Sequence, residues 1–455
     1  MKCSTDKSSL AQWLRYLALL ICSASALSYA GADVDERVDD LTRLSHSVTA
    51  LNDFIYRIDG QGSIFLINTS EGSVLIDVGS DEKQGAEQKR LAQELASGPI
   101  RKIILSHFHS DHVAALPVWE EELSQGLPIV THQRYAYMSQ IQRELSPFFN
   151  RRYKILYGDL VDESPKEERS YWQLEPEHEV YVGKPYSFSL GAVDFEIIAM
   201  NNTGEGEDGL LVWLPQHKIL FVGDMFGPIY PMFPNLYTVR GEKYRDALDY
   251  IDSLDFILSL QPEMMVCSHF CSLNDPQEIQ NSVLKMRDAV QYVWDEVVEG
   301  MNAGKSLWQL MDEISLPKDF AISQGHGKVS WSVRAIWETV SGWYHYQHVA
   351  DLYPVPVASV YGDVVAAAGG VGSLLQKAKE RQLAGELVHA LRLLDILRDS
   401  ETEEVLTLRL AVLDGLLEQA QALRNYSEIG LLRHDRQQSA ERLKFITGDV
   451  VGSAT

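Results

Sequence analysis

The sequence predicts an α/β layered domain followed by an all-α domain. Between Asp53 and His269, short apolar runs alternate with turn clusters and amphipathic stretches. Beyond Asp363 the chain is almost wholly Ala, Leu, Glu, Arg and Gln at helical spacing. Its 455 residues, 45% of them hydrophobic, suffice for two or three domains with a sizeable core.

The elements follow in order. Lys2, Lys7 and Arg15 precede the apolar run Tyr16–Leu27 and a small-residue site ending at Ala30. That order reads as a signal peptide over residues 1–30. About a dozen apolar residues are too few for a spanning helix, which takes about 20. No later run is long enough either, so a periplasmic or secreted chain without a stable membrane span is expected. Next, FIYRI, SIFLI and SVLIDVG read as strands separated by the turns DGQG and NTSEG. Residues 83–97 have helical periodicity, KIILSH is a short buried strand, and residues 117–150 read as mixed, mainly helical. Strands return at YSFSL, FEIIAM, LLVWL, KILFVGD and MMVCSH, and residues 275–350 read as helical. The prolines of LYPVPV separate a catalytic region, residues 45–350, from a helical domain of about four helices, residues 360–445.

Acidic residues outnumber basic ones 64 to 40, a formal net charge of −24. Such a surface repels phosphate backbones and anionic head groups, which disfavours nucleic acid and membrane surfaces as partners. A small anionic substrate stays open, because one cationic pocket can overrule the global field. Cys3 and Cys22 fall in the signal segment, leaving Cys267 and Cys271 around His269. The pair can form a disulfide after export or remain as buried thiols; spacing alone does not decide.

The informative stretch is ILSHFHSDHVAAL. On an extended strand end, residues i and i+2 face the same way, so His107 and His109 can converge on one metal. The turn carries Asp111 and His112 toward a neighbouring position. Imidazole and carboxylate at this density favour zinc, and the number of ligands suggests two ions per chain, although manganese and iron share such ligand sets.

This H-x-H-x-D-H run resembles the signature of the metallo-β-lactamase superfamily, an αββα sandwich with a dinuclear site at its strand ends. The resemblance implies further ligands: Asp224 in FVGDMF as the bridging acid and His269 in MMVCSHF. Many members supply a histidine from a Gly-His-Thr loop, but here the loop reads AMNNTGEGEDG. That departure is similar to the alkyl sulfatase branch, where a glutamate takes the place, and it implies Glu205, with Glu207 and Asp208 as competitors. NLYTVRG resembles the run whose arginine grips sulfate in that branch, which implies Arg240 as the anion clamp. NRRYKILYG resembles a substrate-lining segment, which implies Asn150, Arg151, Arg152 and Tyr157. In GKVSWSVRAIW, Trp331 stands where the branch has a sulfate-facing histidine; His326 is nearby but out of register. The tail around YGDVVAAAGGVGSLLQKAKE is similar to the alkyl sulfatase dimerisation domain and implies a homodimer through the helical domain.

On this resemblance His107, His109 and Glu205 hold one zinc, Asp111, His112 and His269 the other, and Asp224 bridges. Two such ions lower the pKa of a shared water toward neutrality. The expected function is hydrolysis of an alkyl or aryl sulfate monoester, with Asp111 and Asp224 at the reacting centre and Arg240 on the anion. The residue at Trp331 also admits another anionic ester, a lactone or phosphoester. A non-haem iron oxidoreductase on the same fold is disfavoured, because flavodiiron members carry glutamate where His109 stands. A non-catalytic binding protein need not keep seven ligand positions. Trp331, Trp337, Trp343 and Phe149 are candidates to line an apolar pocket.

Overall fold

A computed structural model describes residues 47–157, 174–227, 230–236, 239, 241–269 and 271–448. Residues 1–30, expected to be a signal peptide, and Arg240 lie outside the described residues. In the first sheet, β1 (Val48–Ala50), β2 (Ile55–Ile58), β3 (Ile64–Thr69) and β4 (Gly72–Ile76) form an antiparallel meander. Helix α1 (Glu82–Leu95) starts at Asp81, whose carboxylate accepts from the Gln84 amide, and leads to β5 (Ile100–Ile104), parallel to β4. The short helices α2 (Ser110–Val113) and α3 (Glu120–Ser124) lead to β6 (Ile129–His132). Helices α4 (Tyr135–Glu144) and α5 (Ser146–Tyr157) precede β7 (His178–Val180); β5, β6 and β7 run parallel. Strand β6 interrupts the stretch expected to be helical. Its β-branched Ile129, Val130 and Thr131 are buried, and its first two residues pair with β5, so sheet packing overrides the helical reading.

The second sheet has the order β13-β12-β11-β10-β9-β8. Its strands are β8 (Tyr186–Leu190), β9 (Val193–Ala199), β10 (Leu210–Leu214), β11 (Ile219–Phe221), β12 (Met264–Val266) and β13 (Ser272–Leu273). Helix α6 (Ala247–Leu260) connects β11 to its parallel neighbour β12. The side-chain alternation of β3 explains the layering. Phe65 and Ile67 enter the core between the sheets, whereas Ile64 and Leu66 pack outward in the core that also holds Ala92 of α1. Both faces are covered, so the strand is apolar throughout, each such side chain contributing roughly 1.5–3 kcal/mol on burial. Outside the second sheet, α6, α7 (Pro276–Asn302), α8 (Leu307–Glu313) and α9 (Val329–Ser341) share a further core. The result is an αββα sandwich.

A helical C-terminal region follows: α10 (Tyr361–Ala367), α11 (Val371–Leu383), α12 (Leu387–Ile396), α13 (Glu403–Leu423) and α14 (Tyr426–Thr447). That is five helices among the described residues, against about four expected, with an apolar core of their own that includes Leu375, Ala378, Leu394, Val405 and Val412. No single helix among the described residues is long and apolar enough to cross a membrane. Cys267 and Cys271 are buried and are not joined in a disulfide.

Candidate metal centre

Both sheets present strand ends at one edge. Asp77 follows β4, Ser106 to His109 follow β5, Asp224 follows β11, His269 follows β12, and Glu205 lies in the β9–β10 loop. The Leu210 amide donates to the Ser106 carbonyl at 2.8 Å, joining the sheets beside the histidines. Gly62 allows the β2–β3 turn to cross the histidine turn, since a Cβ there would sit 2.1 Å from the Asp111 carbonyl oxygen.

Two adjoining groups result. His107, His109 and Glu205 form one; Asp111, His112, Asp224 and His269 form the other, with potential ligand atoms in each within 4.8 Å of one another. In the first, His107 Nε2 lies 2.9 Å from His109 Nδ1, which lies 3.3 Å from Glu205 Oε1. In the second, His269 Nε2 is 3.2 Å from Asp111 Oδ2 and 3.0 Å from Asp224 Oδ2; His112 Nε2 is 3.3 Å from the same Asp224 oxygen. Asp224 also reaches toward the first group, 4.0 Å from His107 Nε2.

Asp77 orients two of these rings. It accepts from the Ser106 hydroxyl at 2.8 Å and lies 2.9 Å from His112 Nδ1, while Ser106 Oγ lies 3.0 Å from His107 Nδ1. With both Nδ1 atoms turned to these acceptors, both Nε2 atoms face the cluster. Buried Arg245 holds Glu205 in a two-pronged pair at 2.5 and 2.6 Å.

Charges compensate within the cluster. Burial disfavours the ionised forms, but the neighbouring carboxylates of Glu205 and Glu242 lift His109 to about 9. Against the same burial cost, Asp224 and Asp111 lift His269 to about 10. His107 moves the other way, pushed well down by burial and by the charges of His112 and His109. Despite burial, His269 and His112 hold Asp224 well below the usual carboxylate range, and Arg245 lowers Glu205.

Residues 57–269 match the sequence profile of the metallo-beta-lactamase superfamily, and residues 308–427 match that of alkyl sulfatase dimerisation. The chain joins a metallo-β-lactamase domain to an alkyl sulfatase dimerisation domain. A linear primary-alkylsulfatase from Pseudomonas sp. is 24% identical over 337 residues, 70% of this chain and 63% of its own length. An alkyl/aryl-sulfatase from Saccharomyces cerevisiae is 21% identical, with 75% and 56% covered. The chain thus spans less than two thirds of these curated relatives. The solved stereoselective inverting sec-alkylsulfatase Pisa1 from Pseudomonas sp. shares the fold, with a TM-score of 0.71 at 20% identity, covering 86% of this chain and 66% of that one.

The donor set of the metallo-β-lactamase domain fits divalent metal: imidazoles and carboxylates, and a buried Asp224 Oδ1 that lacks a hydrogen-bond partner among the described residues. The competitors of Glu205 join neither group. Glu207 accepts from Arg134 at 3.1 Å, and Asp208 is fully buried and pushed up to about 7 by burial. Asn150 and Arg151 are exposed on α5, whereas Arg152 donates to the Val239 carbonyl at 2.6 Å. Tyr157 closes α5. Trp331 is half-buried on α9 with Lys328 Nζ 5.5 Å from its ring centre. Trp337 packs on the outer core, Trp343 is 71% exposed, and Phe149 stacks on Tyr153. His326 is buried, 2.9 Å from both Asn235 Nδ2 and Ser427 Oγ, so it ties the NLYTVRG loop to the start of α14.

Asp77, Glu242 and Arg245 were not anticipated from the sequence. The acidic end of the apolar run SVLIDVG was the one available signal for Asp77.

Proposed function

We propose that the protein is an exported, homodimeric metallohydrolase of sulfate monoesters, with linear alkyl sulfates as the first substrate class to test. The observation that carries this reading is the convergence of seven ligand-type side chains into two adjoining groups, with Asp224 between them. The alkylsulfatase names of the relatives support the choice of ester. In this reading residues 1–30 are removed, residues 45–350 form the catalytic unit and residues 360–445 the dimerising one. His107, His109 and Glu205 would hold one zinc ion and Asp111, His112 and His269 a second, with Asp224 available to both.

Two zinc ions would supply Lewis acidity and an activated water. The protein's own part is to orient and charge-match. Asp77 fixes the ring nitrogens that His112 and His107 turn to the cluster, and Arg240 grips the anion. Arg152 donates to the carbonyl of Val239, the residue before Arg240 in the chain. Trp331, in place of a hydrogen-bonding histidine, favours a second reading in which the ester is a phosphoester or lactone.

The test is release of inorganic sulfate from a medium-chain alkyl sulfate by the purified protein, with elemental analysis on the same sample. Turnover with two zinc ions per chain is expected. Two zinc ions without sulfate release, but with turnover of a phosphoester or lactone, would overturn the ester assignment.

A further inference from the structure

Next to the cluster lies a closed ring of side chains. Arg245 Nη1 is 2.5 Å from Glu205 Oε2, Arg245 Nη2 is 2.6 Å from Glu205 Oε1, and Arg245 Nη2 is also 2.5 Å from Glu242 Oε2. The other oxygen of Glu242 faces His109 Nε2 at 3.6 Å, just beyond hydrogen-bond length. His109 Nδ1 returns to Glu205 Oε1. Glu242 and Arg245 are both at least 95% buried. They lie three residues apart in the segment leading into α6, so one short stretch of chain supplies both side chains.

We infer that Glu242 and Arg245 are positioning residues, a buried bracket that selectively governs metal occupancy at His107, His109 and Glu205. The inference rests on the reading of that trio as a metal site. An imidazole coordinates through one nitrogen while the other holds its proton. The carboxylate facing Nε2 keeps the proton there and leaves Nδ1 for the metal. This differs from His107 and His112, whose Nδ1 atoms face Ser106 and Asp77. Arg245 fixes the plane of Glu205 through its fork, which a lysine cannot reproduce. The bracket touches His109 and Glu205 directly, and both belong to the first group, so its effect falls first on that position.

The experiment titrates chelator-treated full-length protein with cobalt(II), followed by calorimetry and visible absorption, for wild type, Glu242→Gln, Arg245→Gln and Arg245→Lys. Wild type is expected to bind two ions. In Glu242→Gln and Arg245→Gln one ion should keep wild-type affinity while the other weakens by about 10–100-fold, with a changed cobalt spectrum. Arg245→Lys should fail to rescue. Circular dichroism checks folding; if Arg245→Gln does not fold, Glu242→Gln, nearly equal in volume, decides alone. Two ions at wild-type affinity in a folded Glu242→Gln, or equal weakening of both, overturns the bracket while the two-site reading stands. A wild-type chain that binds one ion or none overturns both.

Discussion

Asp77 shows how much of this centre depends on single groups placed from a distance. It sits 29 residues from Ser106 and 35 from His112, in a left-handed conformation (φ 60°), and one carboxylate serves both. Non-glycine residues visit that region at a cost of order 1–3 kcal/mol, and aspartate is among those that tolerate it. Proton linkage is the measurable consequence of the cluster's charges. His109 and His269, ordinarily near 6.5, stand at about 9 and about 10 beside their carboxylates. Both are therefore protonated at pH 7 in the chelated protein and lose a proton to bind metal. The sign follows from the raised values. These pairs stabilise the chelated fold fully below about pH 6.5, and that contribution fades as pH rises through 9 to 10. Calorimetry in buffers of different ionisation enthalpy should show proton release on zinc binding at pH 7 that shrinks toward pH 10. Release that is absent at pH 7, or independent of pH, would contradict this charge state. At this scale the sequence revealed the histidine run, whose residues are neighbours in the chain. It did not reveal Asp77, Glu242 or Arg245, which meet their partners only through tertiary folding.

Elements depend on one another in the same way. The strand runs and α1 were legible because their apolar periodicity is local. Strand β6 was not, since four residues are too few for a period and its pairing with β5 decides the matter. The docking of α14 on α5 was equally invisible. A Cβ at Gly430 of α14 would lie 2.0 Å from the Leu156 carbonyl oxygen of α5, a backbone atom that cannot swing aside. In an exposed helix interior, replacing glycine by alanine stabilises by about 1 kcal/mol. Here the contact reverses the sign. Gly430→Ala is expected to destabilise by roughly 1–3 kcal/mol through overpacking, read as a lower midpoint of denaturation. Because α5 carries Arg152 to Val239, the substitution should also raise KM for anionic substrates. An unchanged or higher midpoint would show that the two helices separate freely.

At the scale of the whole molecule, the two regions meet at His326, whose ring stacks on Tyr426 at 4.6 Å and bonds to Ser427, and at the Lys328–Glu428 ion pair. The proposed dimerising role, assigned above to residues 360–445, extends to an exposed apolar stretch just before them in the chain. Between α9 and α11, Trp343, Tyr346, Val349, Tyr353, Val355 and Val357 are all exposed, from 62% to 85%. A run of large apolar side chains left in water marks an interaction surface, and this one falls within the region similar to alkyl sulfatase dimerisation domains. Two chains of net charge −24 repel at long range, so association has to come from apolar burial rather than from complementary charge. The double substitution Tyr353→Asp with Val357→Asp should therefore yield a folded monomer by sedimentation equilibrium, since neither side chain supports the core of its own chain. Wild-type dimers should tighten as salt rises, because screening weakens the repulsion while leaving the apolar contact intact. A wild-type chain that sediments as a monomer at every salt concentration, or a double variant that stays dimeric, would remove this stretch from the interface.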